Sequence, residues 1–143
     1  MHIFTIGYEG ATQPQLVETL SAAGVKLLAD VRAVPLSRRP GFSKNVLAAG
    51  LREAGIDYVG LKALGTPPEG REAARKHDLA RLTRIYSGQL ESLEAIAQMA
   101  QLQDMAAQRP TALLCFERSP DCCHRSLIVE AAFPEAQVTH LFP

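Results

Sequence analysis

The stretch IFTIGYEGATQPQLVETLSAAGVKLLADV, residues 3–31, contains the pattern that decides the fold. Residues 3–6 favour a short strand, and apolar residues then recur at helical spacing between Thr12, a suitable N-cap, and Gly24, a suitable helix end. Residues 25–31 are almost continuously apolar, which is typical of a strand buried on both faces of a parallel sheet. The stretch therefore predicts a strand, a helix and a second strand.

The remainder of the chain continues this alternation. Further strands are predicted over residues 57–61, 111–116 and 137–142. Further helices are predicted over residues 43–54, 69–86, 90–108 and 123–132. We therefore predict an α/β fold, in which a mostly parallel central sheet of about five strands has helices on both faces, as a single three-layer domain over residues 1–143.

The composition is that of a globular protein without overall charge. Hydrophobic residues make up 47% of the chain and charged residues 21%, far from the composition of disordered chains. Fifteen Lys and Arg residues balance fifteen Asp and Glu residues. Such a molecule exerts no long-range attraction on nucleic acid or on an anionic membrane surface, so any site for an anion must be local.

The N-terminus and the cysteines bear on the cellular compartment. Residues 1–15 lack the basic and apolar regions of a secretory signal, and no apolar run approaches the roughly 18 to 20 residues of a membrane span. The three cysteines are an odd number within nine positions, unlike a disulfide framework. The sequence therefore predicts a cytoplasmic protein with free thiols and no membrane partner.

Polar residues gather where four predicted strands end. In parallel α/β sheets the ligand crevice lies beyond the carboxyl ends of the strands. Segments 7–9, 30–32, 61–65 and 115–117 occupy such positions. We expect the functional site to combine residues from these segments.

The stretch LLCFERSPDCCHRSLIVEA, residues 113–131, contains all three cysteines. We expect Cys122, Cys123 and His124 to lie in the first turn of the last helix, where unpaired N–H groups and the helix dipole lower the pKa of a thiol. Arg125 and a protonated His124 would act in the same direction. Cys123 is therefore a candidate nucleophile.

Two other interpretations of this stretch remain open. Cys123 and His124 could face the sheet as core residues, since free cysteine is among the most buried residue types. The cysteines and histidine could instead bind zinc, but there is no C-x-x-C pair and Cys115 precedes Cys122 by seven positions. His140 could complete a metal set only if folding brings it near. The spacing therefore predicts no metal.

The segment AVPLSRRPGF, residues 33–42, is a long loop rich in proline, arginine and glycine. It contains Arg38 and Arg39 and follows Arg32, and guanidinium groups bind phosphate or carboxylate through paired hydrogen bonds. Asp30 could orient Arg32 through a salt bridge or act as an acid or base. Exposed arginines on a loop are also ordinary, so a solvated surface is the competing interpretation.

Several established signatures are missing. The sequence contains no G-x-x-x-x-G-K-[ST], G-x-G-x-x-G, H-E-x-x-H or G-x-S-x-G motif, so phosphate-loop, dinucleotide, zincin and hydrolase-elbow sites lack their patterns. The five basic residues of the predicted helix 69–86 are offset by three acidic ones, which indicates a solvated face. No cofactor is predicted.

Four segments together resemble the domain of unknown function 488 family over nearly the whole chain: TIGYEG (5–10), LLADVRAVPLSRRPGF (27–42), GIDYVGLKALG (55–65) and LLCFERSPDCCHRS (113–126). The resemblance implies that the family's pattern falls on Gly7, Asp30, Arg32, Pro35, Ser37, Phe42, Tyr58, Leu64, Gly65, Cys115, Glu117, Cys123, His124 and Arg125. Cys122 lies outside the pattern, which favours Cys123 of the adjacent pair. Tyr8, Glu9 and Thr66 depart from it. The resemblance implies a fold and a site, without an established reaction.

We hypothesise a small cytoplasmic enzyme that acts on an anionic, phosphate-bearing substrate such as a nucleotide or a nucleic acid. Cys123 would be the nucleophile or redox thiol, with Cys115 as its partner and His124 as an acid, a base or a stabiliser of the thiolate. The catalytic candidates are Cys123, His124, Asp30, Glu117 and Cys115. The anion-binding candidates are Arg32, Ser37, Arg38, Arg39 and Arg125.

Two alternatives remain, a second type of enzyme and a noncatalytic module. One is sulfur transfer or phosphate-ester hydrolysis, by analogy with rhodanese-like and cysteine-phosphatase loops, although the sequence C-H-R leaves no anion-cradling loop between cysteine and arginine. The other is a noncatalytic module that binds nucleic acid or a partner protein through the arginine-rich loop. The neutral net charge argues against tight nonspecific binding by such a module.

Overall fold

The computed structural model describes the backbone of residues 1–143 and every side chain except that of Cys122. Over these residues, five strands form one sheet in which every neighbouring pair is parallel. The strands are β1 (His2–Gly7), β2 (Leu27–Asp30), β3 (Asp57–Gly60), β4 (Thr111–Cys115) and β5 (Gln137–Leu141), in the spatial order β3-β2-β4-β1-β5. The predicted α/β fold with a mostly parallel sheet is confirmed.

Helices connect the strands as predicted, with one exception. Over the described backbone they are α1 (Gln13–Ala22), α2 (Lys44–Glu53), α3 (Pro68–Arg75), α4 (Leu79–Gln89), α5 (Leu93–Gln108) and α6 (His124–Ala132). Short 3-10 turns cover Lys62–Leu64 and Pro120–Cys122. None of the described helices is both long enough and apolar enough to cross a membrane.

The exception is the segment predicted as one helix over residues 69–86. It forms two helices, α3 and α4, because His77 has a left-handed backbone with a φ of 56°. Asp78 then caps α4 by accepting a hydrogen bond from the Arg81 N–H at 3.2 Å. The helix is predicted from the spacing of apolar residues, and one left-handed residue does not change that spacing, so the pattern does not predict the break.

Alternating side chains of the sheet fill one apolar core on each face. Leu28 and Leu114 belong to a cluster that α1 and α2 complete. Ala29 and Leu113 belong to a second cluster, which α4, α5 and α6 complete. All four side chains are fully buried. The central strands are therefore apolar on both faces, as the continuous run at residues 25–31 indicates.

The register of the sheet brings three chain segments to one edge. Strand β4 lies between β1 and β2, with Cys115 opposite Gly7 and Leu114 opposite Asp30. Because parallel strands run in the same direction, the residues that follow β1, β2 and β4 leave the sheet side by side. Three of the four polar segments singled out in the sequence therefore meet at this edge.

A buried ion pair closes the end of β2. The Arg32 guanidinium donates to both carboxylate oxygens of Asp30, at 2.8 Å from Nε and 2.7 Å from Nη2. The Tyr58 hydroxyl donates to the same carboxylate, and Arg32 Nη1 donates to the Phe42 carbonyl at 2.7 Å. Burial is the largest cause that raises the pKa of Tyr58, so its hydroxyl stays protonated and acts as a donor. The pair ties the beginning of the arginine-rich loop to its end.

Replacing Asp30 with alanine should lower the free energy of unfolding by about 3–5 kcal/mol, because the Arg32 charge would stay buried without a counterion. Equilibrium unfolding in urea measures this change. The matched control is Glu72→Gln, which removes an exposed carboxylate that pairs with Lys76, and for which no measurable change is expected. Equal losses in the two variants would contradict the importance of burial.

Candidate functional site

A cavity of about 680 Å³ opens beyond the carboxyl ends of β1, β2 and β4. The charged and sulfur-bearing residues that line it are Arg32, Arg38, Arg71, Cys115, Glu117, Cys123 and His124. The lining also includes Tyr8, Thr66 and Phe116. The cavity thus brings the thiols and the imidazole of the last third of the chain to the arginines that follow β2.

Cys115 and Cys123 face each other at the cavity wall. Cys115 ends β4, and Cys123 is the N-cap of α6 with an extended backbone at φ −144° and ψ 144°. Their sulfur atoms are in contact, whereas their Cα atoms are 7.7 Å apart, and the two residues are 1% and 2% exposed. The predicted position of Cys123 within the first helical turn is wrong, since its backbone is not helical. As the N-cap, Cys123 forms no side-chain capping hydrogen bond, so its sulfur is not bound to the N-terminus of α6 and lines the cavity.

His124 is held in one tautomer by the end of β2. Its Nε2 lies 2.7 Å from the carbonyl oxygen of Val31. Because a carbonyl oxygen only accepts, Nε2 carries the proton and Nδ1 keeps its lone pair. Nδ1 lies 3.8 Å from Cys123 Sγ. Burial, the largest cause, lowers the pKa of His124 to about 4, so the ring is neutral near pH 7 and does not supply the positive charge considered in the sequence analysis.

The guanidinium of Arg125 acts on Cys115 rather than on the cavity. Its Nη1 donates to Cys115 Sγ at 3.0 Å and to the Glu117 carbonyl at 2.5 Å, and Nη2 donates to the Arg118 carbonyl at 2.9 Å. Burial lowers the pKa of Arg125 to about 10, which leaves it positively charged near pH 7. Among the described atoms its buried Nε has no hydrogen-bond partner. Arg125 is therefore suited to stabilise a thiolate at Cys115, and its Nη1 and Nη2 contacts do not favour the predicted role in binding an anion.

Glu117 adds a carboxyl group next to the same sulfur. Cys115 Sγ donates to Glu117 Oε2 at 3.4 Å. Burial is the largest cause of the raised pKa of Glu117, and the charge of Arg125 opposes it. Cys115 thus lies between the Arg125 guanidinium and the partly buried carboxyl group of Glu117.

Asp30 and Arg32 contribute to the site mainly through position. Asp30 is 1% exposed, and its two oxygens are occupied by Arg32 and Tyr58, which does not favour a role as an acid or base. Most of the donors of Arg32 are directed to Asp30 and to the Phe42 carbonyl. Arg32 lines the cavity with a charge that Asp30 neutralises.

The arginine-rich loop divides its side chains between two surfaces. Arg38 is exposed, lines the cavity and has no hydrogen bond or ion pair among the described contacts. Arg39 instead donates to the Ala11 carbonyl at 2.5 Å and stacks on Phe42, beside a different groove. The Ser37 hydroxyl accepts from the Arg39 backbone N–H at 3.1 Å, so it shapes the loop. Of the predicted loop candidates, only Arg38 is both in the cavity and unpaired among the described residues.

Arg71 is a cavity residue that sequence reasoning misses. It lies on α3, which the charge pattern indicates to be solvated, yet it is half-buried and lines the cavity. Its Nη1 donates to the Thr66 carbonyl at 3.3 Å, which directs the guanidinium along the loop after β3. The signal that could have found it is its position one helical turn into α3, shortly after residues 61–65, which are expected at the ligand edge.

Gly7 permits a close approach between β1 and the loop after β4. A Cβ at this position would overlap the Glu117 carbonyl oxygen and lie 2.6 Å from Arg125 Nη1. Gly7→Ala should therefore displace both residues and lower the free energy of unfolding by about 1–3 kcal/mol, as overpacking does. Urea unfolding measures the loss.

The matched control for this substitution is Gly88→Ala in α4, where an added Cβ meets no atom within 4 Å. Alanine is favoured over glycine in a helix by up to about 1 kcal/mol, so this variant should be as stable as the native chain or more stable. A destabilised Gly88→Ala, or an unaffected Gly7→Ala, would contradict the role assigned to the close approach.

Comparison with known proteins yields one match. The family model described as "Domain of unknown function DUF488" matches residues 13–132. No curated protein and no solved structure matches the chain.

Proposed function

The chain belongs to the DUF488 family, and we propose that it is an enzyme in which Cys123 attacks an anionic substrate held in the cavity by Arg38 and Arg71. The substrate class is a phosphate-bearing small molecule, with nucleotides and nucleic-acid ends as members. We propose a cytoplasmic setting, where the clustered thiols would stay reduced.

One observation carries this proposal: a thiol, an imidazole and two incompletely paired guanidinium groups line one cavity. Cys123 and His124 come from the β4–α6 connection, whereas Arg38 and Arg71 come from a loop and a helix earlier in the chain. Guanidinium groups bind phosphate through paired, charge-assisted hydrogen bonds. Such groups fix the anionic end of a substrate and hold its reacting atom near the sulfur.

The aromatic lining supports a nucleotide within this substrate class. Phe116 lines the cavity, is 43% exposed and meets the Tyr8 ring edge-on at 5.3 Å between centroids. An exposed aromatic face accepts a base by stacking, while nearby arginines bind the phosphate.

The proposed step is a displacement at the substrate. Cys123 Sγ forms a bond to an electrophilic carbon or phosphorus atom, and the bond from that atom to the leaving group breaks. The thiol releases its proton to solvent, and the leaving group departs with the bonding electrons and takes up a proton from solvent. Water then cleaves the sulfur adduct, giving its hydroxyl to the substrate and a proton to the thiol.

A pair of alkylating agents tests the proposal without the natural substrate. Iodoacetate has a carboxylate beside its reactive carbon, and iodoacetamide is its neutral counterpart. In a Cys122→Ser background, Cys123 of the folded protein should prefer iodoacetate by roughly 10- to 100-fold relative to the same thiol in the urea-unfolded chain, because charge-assisted hydrogen bonds contribute about 1.5–3 kcal/mol. Peptide mass spectrometry measures both rates at Cys123.

Charge-removing variants identify the anion site. Arg38→Gln and Arg71→Gln should each reduce the preference about tenfold, and inorganic phosphate should slow the reaction with iodoacetate. The matched control is Arg84→Gln, an exposed arginine on α4 that does not line this cavity. An equal preference in the folded and unfolded chains would overturn the proposal. Phosphate binding without any effect on Cys123 would favour the noncatalytic module.

A further inference from the structure

We propose that Cys115, Cys123 and His124 bind one divalent metal ion of the zinc type, with a remaining coordination position that faces the cavity. The sequence predicts no metal, and the geometry of the three side chains revises that prediction. The inference deepens the proposed function, because it names a metal ion as the group that activates the Cys123 thiol. Only this role of the metal rests on the proposed function; the metal site itself does not.

The distance between Cys123 Sγ and His124 Nδ1 suits a tetrahedral ion, and Cys115 Sγ lies beside them. The two sulfur atoms and the imidazole nitrogen all lie within 4.8 Å of one another. Zn–S bonds of about 2.3 Å and Zn–N bonds of about 2.0–2.1 Å place neighbouring ligand atoms of a tetrahedron roughly 3.6 Å apart. Cys123 Sγ and His124 Nδ1 are 3.8 Å apart. One ion could therefore contact both atoms without rearrangement of that pair.

The backbone spacing of the cysteines favours an ion over a covalent disulfide. Their Cα atoms are 7.7 Å apart, whereas the Cα atoms of protein disulfides are usually about 4.4–6.8 Å apart. Two bonds to a shared ion span a greater distance than one S–S bond. Binding the ion would part the two sulfur atoms, which the wide Cα spacing allows.

The neighbouring hydrogen bonds prepare each ligand. The Val31 carbonyl accepts from His124 Nε2 at 2.7 Å, so Nδ1 offers its lone pair to the ion. Arg125 Nη1 donates to Cys115 Sγ at 3.0 Å and would balance part of the negative charge of the bound thiolates. Metal ligands are commonly held by such outer contacts.

Sequence spacing does not reveal this set because the ligands come from two elements. Cys115 ends β4 and Cys123 precedes α6, eight positions later. Neighbouring residues on a helix point in different directions, but Cys123 is extended rather than helical, and its sulfur turns towards the ring of His124. His140, considered as a fourth ligand, instead contacts the Thr5 hydroxyl and does not join the cluster among the described side chains.

Two thiolates and one imidazole select soft or borderline ions, of which zinc is the usual choice for such sets. On binding, each thiol gives up its proton to solvent and remains as a thiolate. Coordination is one of the ways in which a cysteine nucleophile is activated.

Cobalt titration tests the assignment directly. The full-length protein is stripped with a chelator under reducing conditions and titrated with Co²⁺. One equivalent should give the strong visible absorption of tetrahedral cobalt together with sulfur-to-cobalt charge transfer, and Zn²⁺ should displace it. Elemental analysis of the protein as purified should find about one zinc per chain.

Variants then identify the ligands. Cys115→Ser, Cys123→Ser and His124→Asn should each weaken Co²⁺ binding at least 100-fold. The matched controls Cys122→Ser and His140→Asn should bind as the native protein does. Circular dichroism verifies that each variant is folded, and the titration of the native chain does not depend on any variant.

A cobalt spectrum without charge transfer, or charge transfer that only Cys122→Ser abolishes, would overturn the metal site. These outcomes are distinct from failure of the proposed function. Metal binding is read without substrate, and the preference of Cys123 for iodoacetate is read by mass spectrometry. If the cobalt protein shows charge transfer but Cys123 shows no preference for iodoacetate, the metal site stands and the proposal that Cys123 attacks an anionic substrate fails.

Discussion

Parallel pairing of β4 between β1 and β2 is the constraint on which the site depends. It sets Cys115 opposite Gly7 and Leu114 opposite Asp30, so three connections leave the sheet at one edge. Each connection then contributes one part of the cavity: an aromatic ring after β1, arginines after β2, and a carboxyl group, a thiol and an imidazole after β4. A change of register in any one of these strands would separate parts that are distant in sequence.

The cavity keeps its shape through polar groups that are themselves buried. Asp30 and Arg32 join the two ends of a loop whose own backbone forms little regular structure. Arg125 crosses to the carbonyl groups of Glu117 and Arg118 and to the sulfur of Cys115. On the opposite side, the ring of Tyr86 lies 5.4 Å from that of His124, and its hydroxyl donates to the Leu64 carbonyl at 2.5 Å. The Asp30–Arg32 pair, Arg125 and Tyr86 thereby hold side chains that line the cavity.

Much of the fold follows from the sequence because apolar spacing reports burial directly. Within the apolar run at residues 25–31, Leu27–Asp30 forms a strand covered on both faces, and Gly24 follows the preceding helix with a φ of 80°. The break at His77 does not follow, since one left-handed residue changes no apolar position. At the site, residue type and strand end identify Cys115, Cys123 and Arg38. The direction of a side chain does not follow from its residue type and position in the sequence. Arg39 points to another groove, and Arg71 points into the cavity from a helix whose charge pattern indicates a solvated face.

The burial of charged residues also affects how ligands reach the protein. Asp30, Arg32 and Arg125 lie inside and together carry a charge of +1, while the whole chain is formally neutral. The charges nearer the surface therefore sum to −1. The net charge of such an exterior gives negative ligands no long-range attraction, so any gain in their rate of diffusional encounter would come from the arginines that line the cavity. Discrimination among them would then occur after arrival, through how long each one stays.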